Sequence, residues 1–450
     1  MIGMPQKENS PMNTPAKKLS QLAAPLFLEI LCVMLAGMVD TLMLTSESDQ
    51  AVGAVGTANT YISIFLILFN IISSGMTAVM AQYIGAGRPG VAGQVLRLGL
   101  AVNLAVGGII TATLVGLAGP ILSAIGIASQ LKDSAAVYMR IVGAFCLCNA
   151  LAPIYSGYLR SFGQTAPIMA ASLASNAVNL ILNAVFLFAL GWGVAGVALA
   201  TGISRLVNLL WVWAASRRRI PAAGDPHPPV RRMLLRQVLR IGLPAAAETS
   251  LYDLAVTLVI SLLNRMDNTG LQATARAYTV QFANLSYCAA AALAQANAIL
   301  AGWRIGGGHP EECDRGTRRT AWLAVGLGVA VSGVFALSAP LMVPLFTSKP
   351  EMIRLVSAML WIDILLEIGR ASNLVYGSAL KAAGDALYPM LITVTFAFLC
   401  AVGGTWLFGL KLGWLAMGAY AAMALDECVR AVFVLLRWRS GRWKQHTLLR

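Results

Sequence analysis

Twelve long apolar runs, at about 22–44, 52–84, 95–118, 135–159, 167–189, 194–215, 238–263, 273–302, 319–346, 353–380, 388–409 and 412–436, alternate with short polar stretches along the chain. Each reaches the roughly 20 residues that a helix needs to cross a hydrocarbon core of about 30 Å. A helix also satisfies its own backbone groups in a medium without water. The pattern predicts an all-α polytopic membrane protein with twelve transmembrane helices, and an even number of spans puts both termini on one side. The first twenty residues are polar, include Lys7, Lys17 and Lys18, and contain no apolar stretch with a small-residue cleavage site, so the first span is expected to be retained.

Composition removes the alternatives. Of 450 residues, 58% are hydrophobic and 12% charged, with a mean hydropathy of +0.72, whereas about a quarter of a soluble domain is charged. The formal charge of +14 would suggest nucleic acid if the basic groups clustered on a soluble face, but they sit between the apolar runs. Nucleic acid is therefore not expected as a partner, and the charge is topological. The even-numbered connections carry Arg88 and Arg97; Arg160; Arg217, Arg218, Arg219, Arg231, Arg232, Arg236 and Arg240; Arg304, Arg315, Arg318 and Arg319; and Lys381, followed by a tail with Arg437, Arg439, Arg442, Lys444 and Arg450. The odd connections hold little beyond Lys132, Arg265, Lys349 and Lys411. Short cytoplasmic loops are enriched in Lys and Arg, so the termini and central linker are expected in the cytoplasm, with the chain in a bacterial inner membrane. Cys32, Cys146, Cys148, Cys288, Cys400 and Cys428 lie inside the runs without CxxC spacing and read as small core residues.

The stretch 216–237 is basic, rich in proline and without apolar periodicity, which marks a linker between two six-helix blocks. The chain then divides into a cytoplasmic tail at 1–21, an N-lobe at 22–215, the linker at 216–237, a C-lobe at 238–436 and a basic cytoplasmic tail at 437–450. The blocks repeat each other. Pro25-x-x-x-Glu29 returns as Pro244-x-x-x-Glu248 after 219 residues, and Ile84-Gly-x-Gly-Arg-Pro89 returns as Ile305-Gly-Gly-Gly-His-Pro310 after 221. Leu159-Arg160-x-x-Gly163 returns as Leu380-Lys381-x-x-Gly384 after 221, and Leu190-Gly-Trp-x-x-x-Gly196 as Leu412-Gly-Trp-x-x-x-Gly418 after 222. Four matches in one order at a near-constant offset indicate duplication. Copies with an even number of spans share an orientation and are related by an axis along the membrane normal, an arrangement suited to alternating access around a site between them.

These residues resemble the multidrug and toxic compound extrusion (MATE) family. The likeness rests on Pro25 followed fifteen residues later by Val39-Asp40-Thr41, the Ile-Gly-Ala-Gly-Arg-Pro loop after the second span, Leu-Arg-Ser-Phe-Gly-Gln at 159–164, and Asn179-x-x-x-Asn183 leading into the Gly191–Thr201 segment. It covers roughly 20–436. The resemblance implies two six-helix lobes forming a cleft, and efflux of cationic or amphipathic organic compounds driven by inward H⁺ or Na⁺. It also implies that Asp40 belongs to an N-lobe cation site supported by Asn179 and Thr201. Many members carry Asp where this chain has Asn183, which leaves the coupling ion open between H⁺ and Na⁺.

Ionisable groups inside the hydrocarbon point to function in their own right, because inserting one costs at least about 2.5 kcal/mol. Glu29 and Asp40 are eleven residues apart, which returns them to one face of the first helix. Both can line one cavity. Asp40, Asn179, Asn183 and Thr201 can meet at one depth, where the carboxylate can take up a proton or, with amide and hydroxyl oxygens, hold Na⁺. In the C-lobe, Glu248 and Asp253 on the seventh span lie at the depth of Asp363 and Glu367 on the tenth. Asp363, Glu367 and Arg370 follow at i, i+4 and i+7 as an ion-pairing stripe, for which an internal salt bridge and a transport role are both open. The family's helix-7 carboxylate falls on Tyr252 here, with Asp253 beside it. On the twelfth span, Asp426, Glu427 and Arg430 read as structural.

No GxxxxGK[ST] or GxSxG occurs, and His227, His309 and His446 are dispersed, which leaves no ATP site, nucleophile elbow or HExxH-type metal site. The chain is expected not to be an enzyme, to need no cofactor beyond its coupling ion, and to function as a monomer in the lipid bilayer with small organic cations as partners. Two alternatives remain: a flippase for lipid-linked substrates, expected to line its cavity with arginines, and a membrane-embedded prenyltransferase, of which Asp363-x-x-x-Glu367 is the only trace.

Overall fold

The computed structural model describes residues 17–45, 49–124, 126–219, 229–267 and 269–448, with helices and no strand among the described residues. The first half contains α1 (Leu19–Thr45), α2 (Asp49–Gly85), α3 (Pro89–Gly116), the short α4 (Ala118–Ala124), α5 (Ser129–Ala144), α6 (Cys146–Ser161), α7 (Ala166–Ala184) with a π-helical end at Val185–Ala189, and α8 (Gly193–Arg219). The second half contains α9 (Arg231–Leu263), α10 (Leu271–Gly306), α11 (Pro310–Met342), α12 (Pro350–Ala383), α13 (Leu387–Phe396) continued by π-helical turns at Ala397–Val402 and Thr405–Lys411, and α14 (Leu415–Arg439). Helices α8 and α9 reach into the 216–237 linker from both sides. The linker's centre at 220–228 and most of the 1–21 tail lie outside the described residues.

The fold is the polytopic two-repeat bundle of twelve spans. Among the described residues, nine helices are long and apolar enough to cross a membrane, and α5 with α6 makes a tenth, bent by 43°. The bend falls at Phe145, whose ring fills the space that a Cβ on Gly202 of α8 would need. The remaining two spans, α12 and α14, have 34 and 25 residues but carry acidic and basic groups that lower their hydropathy. Those groups are tolerated because they face other helices: Asp363, Glu367, Asp426, Glu427 and Arg430 are all buried.

The repeat extends to individual hydrogen bonds. Gly87 and Gly308 adopt φ of 73° and 79°, and the residue after each donates its N–H back across the turn, Arg88 to Tyr83 O and His309 to Arg304 O. Gly163 and Gly384 do the same, with Gln164 bonded to Leu159 O and Asp385 to Leu380 O. A side chain at such a positive φ would be strained, which accounts for glycine in both copies. Trp192 N donates to Phe186 O and Trp414 N to Phe408 O, and each tryptophan stacks on that phenylalanine.

At the end of the bundle that carries the termini, buried apolar residues of both lobes form one continuous cluster. Further along the spans the core splits into an N-lobe cluster around Phe69, Leu114 and Met139 and a C-lobe cluster around Val356, Met359 and Tyr420. The lobes are thus joined at one face. Glycines set how closely they approach: a Cβ on Gly306 would lie 1.9 Å from Gln82 O, one on Gly85 2.1 Å from Trp303 O, and one on Gly242 1.8 Å from Ile71 O. The neighbours are backbone atoms, so helix axes would have to move. Gly306→Ala is expected to weaken this closed face by about 1–3 kcal/mol through overpacking, read as a longer spin-label distance across it; an unchanged distance distribution would refute the expectation.

Candidate functional site

An N-lobe cavity of about 450 Å³ is bounded by α1, α2, α6, α7 and α8. Glu29 and Asp40 of α1 both line it, as the eleven-residue spacing allows, together with Asn70, Asn149, Asn176, Arg160, Arg205 and Asn208. Asp40 is partly buried and faces α7. Asn183 Nδ2 donates to Asp40 Oδ1 at 3.0 Å. Asn179, its amide assigned so that nitrogen faces the acid, donates to Asp40 Oδ1 and Oδ2 at 2.8 and 3.1 Å. The helical i, i+4 spacing of the two asparagines puts both amides on the same carboxylate. Asn183 Oδ1 is buried without a hydrogen-bond partner among the described residues, next to the acid. A carboxylate flanked by an unfilled amide acceptor is chemically suited to a small cation or a proton donor.

Thr201 is turned elsewhere. Its hydroxyl donates to Val197 O at 2.9 Å within α8, close to Tyr138 of α5, which donates to Asn59 Oδ1 at 3.1 Å. Tyr138 and Asn59 escaped the sequence reading because neither lies in a repeated motif. Arg205 did carry a signal: it follows Thr201 by one helical turn. Its guanidinium has no hydrogen bond or ion pair among the described residues and shares the cavity with Asp40.

Glu29 is tied to Arg160 Nη2 at 2.7 Å, and in the other lobe Glu248 to Lys381 Nζ at 2.8 Å. Each partner comes from a repeated motif, so the duplicated chain has kept the same cross-helix ion pair in both lobes. Thr393 adds a hydroxyl 3.4 Å from Glu248 Oε1. Asp253, by contrast, is exposed, with no hydrogen bond or ion pair to its carboxylate among the described residues.

The stripe expected at 363–370 divides into two environments. Glu367 pairs with Arg370 and accepts from Ser286 Oγ at 3.0 Å, whereas Asp363 accepts from the neutral hydroxyls of Ser332 and Tyr420 at 2.9 and 2.7 Å. On α14, Arg430 bridges Asp426 and Glu427 at 2.8 and 2.7 Å, and Asn373 of α12 donates to Glu427 Oε2 at 2.8 Å. Tyr252 packs its ring 5.1 Å beneath the Arg430 guanidinium. Arg276, not singled out in sequence, comes near Tyr252 and Tyr420 with its Nε buried and without a hydrogen-bond partner among the described residues. Among the described residues no three His, Cys, Asp or Glu side chains converge as metal ligands.

The family model described as MatE matches residues 25–185 and 244–407, one segment in each lobe. Among curated proteins, the chain is 30% identical over 448 residues to "Uncharacterized transporter YisQ" of Bacillus subtilis (strain 168), covering 97% of this chain and 98% of that protein. It is 26% identical over 446 residues to "Probable multidrug resistance protein NorM" of Thermotoga maritima, covering 96% and 94%. Among solved structures, "Outward-facing conformation of a multidrug resistance MATE family transporter of the MOP superfamily" superposes with a TM-score of 0.85 at 20% identity over 96% of both chains.

Proposed function

The chain belongs to the MATE family of multidrug transporters, and on that premise we propose that it is a secondary active antiporter exporting cationic or amphipathic organic compounds in exchange for H⁺ or Na⁺. The observation that carries the reading is Asp40, a partly buried acid on a 450 Å³ cavity, with the Asn183 Oδ1 acceptor left open beside it. A proton or Na⁺ on Asp40 cancels the charge that attracts a cationic cargo, so ion and cargo compete for one group and exchange across the membrane in opposite directions. Such exchange moves the protein only if the loaded and unloaded sites differ in their affinity for the two lobe arrangements. The joined core at the termini face and the separate lobe cores beyond it support a rocking motion of this kind. With the termini cytoplasmic, as the basic loops indicate, the lobes are closed towards the cytoplasm.

Glu29 and Glu248, each held by a cation, are proposed to set the shape of the two lobes, the exposed Asp253 to form part of the C-lobe wall of the route, and the buried Asp363 and Glu367 to act from behind it within the C-lobe. Proteoliposomes loaded with a fluorescent organic cation and given an inward ΔpH or ΔNa⁺ separately test the function. One gradient is expected to drive efflux at several times the passive leak. Efflux that responds to neither gradient overturns antiport, and the gradient that works identifies the coupling ion.

A further inference from the structure

Past α14 the chain turns back, at Gly441 with φ of 68°, and runs across the face where the lobes meet. Trp443 is buried and stacks on Trp438 with ring centroids 4.3 Å apart, and its Nε1 donates to Trp438 O at 3.0 Å. Lys444 pairs with Glu311 of α11 at 2.7 Å, and the His446 ring lies beside Arg240 and Arg437.

The decisive contacts are at Leu448, which is 2% exposed although it lies near the end of the chain. Its N–H donates to Gln82 Oε1 of α2 at 3.0 Å, and its carbonyl accepts from Gln237 Nε2 of α9 at 2.5 Å. One residue is thereby held through its backbone by the N-lobe on one side and the C-lobe on the other. The two glutamines are buried amides that use the tail as partner: Thr447 adds a hydroxyl to Gln82 Oε1, Gln82 Nε2 donates onward to Ala382 O at 2.6 Å, and Tyr83 donates to Gln237 Oε1 at 3.4 Å. Losing the tail would leave the Gln82 oxygen and the Gln237 amide nitrogen without these partners.

We propose that residues 440–448 form a latch that holds the two lobes together on the face carrying the termini and that must release in every transport cycle. The proposal rests on the alternating-access reading, because only a movement of α2 away from α9 and α12 makes the tail a barrier.

Hydrogen–deuterium exchange of the chain in lipid nanodiscs tests it, comparing wild type with a chain ending at Ser440 and with full-length Gln237→Leu and Tyr83→Phe. The reporter is 71–75 of α2, about two turns from Gln82, where Gly75 and Ile71 meet α9 and not the tail. Exchange there is expected to rise about fivefold in Gln237→Leu relative to Tyr83→Phe, which removes only the direct bond from α2 to Gln237 Oε1, as the further loss of the Leu448 bond dictates, and more in the shortened chain. Faster exchange confined to 80–85, or no rise in Gln237→Leu beyond that in Tyr83→Phe, overturns the latch. If the shortened chain does not fold, Gln237→Leu against Tyr83→Phe decides alone. Exchange needs neither gradient nor cargo, so a failed latch is distinguishable from failed antiport, which dye efflux measures.

Discussion

Asp40→Asn is expected to lower gradient-driven efflux of an organic cation from proteoliposomes by at least about tenfold, equivalent to ~1.4 kcal/mol of lost differential interaction. The substitution keeps the side chain's shape and can still hydrogen-bond Asn183 and Asn179, but it cannot carry the charge for which ion and cargo compete. Its effect should therefore fall on coupling rather than on folding. Thermal unfolding of the purified variant is expected to stay within about 1 kcal/mol of wild type, since the two amide–carboxylate contacts become amide–amide contacts at a partly exposed site. Asp40→Asn with undiminished efflux would remove Asp40 from the mechanism. Lost efflux together with a collapsed unfolding transition would show it to be structural.

The second large effect is on stability. Arg430→Leu strips the cation from between Asp426 and Glu427, both nearly inaccessible, and leaves two carboxylates with one amide and one tyrosine hydroxyl. Breaking a buried ion network from one side costs about 3–5 kcal/mol, because the remaining charge has no counterpart. Thermal unfolding in detergent should show that loss. In the double variant Arg430→Leu/Asp426→Leu at least half should return, since it removes an orphaned charge with the partner. A single variant as stable as wild type would mean that the network holds nothing together. This places α14 apart from the cavity around Asp40: both contain intramembrane carboxylates, but on α14 each carboxylate is paired with a guanidinium, whereas Asp40 has no ion pair among the described residues and the Arg205 guanidinium beside it has none either.

The sequence by itself determined the spans, the duplication and which acids sit in the membrane. Each follows from local or periodic information: a run of apolar residues must be helical in lipid, a repeated Gly after Leu-Arg or Leu-Lys must close the same turn, and an acid inside such a run is visible in one dimension. Eleven residues between Glu29 and Asp40 sufficed to place them on one helix face, and the spacing of Asn179 and Asn183 to aim both at one neighbour. Tertiary structure alone decided the partners. That Glu29 meets Arg160 across 131 residues, that Thr201 lies by Tyr138 and makes no hydrogen bond to Asp40 among the described residues, and that Leu448 lies between Gln82 and Gln237 depend on how helices far apart in the chain are rotated and set against one another. That rotation is fixed by packing at Gly85, Gly242 and Gly306 over contacts of long sequence separation, and no periodicity within a single helix encodes it.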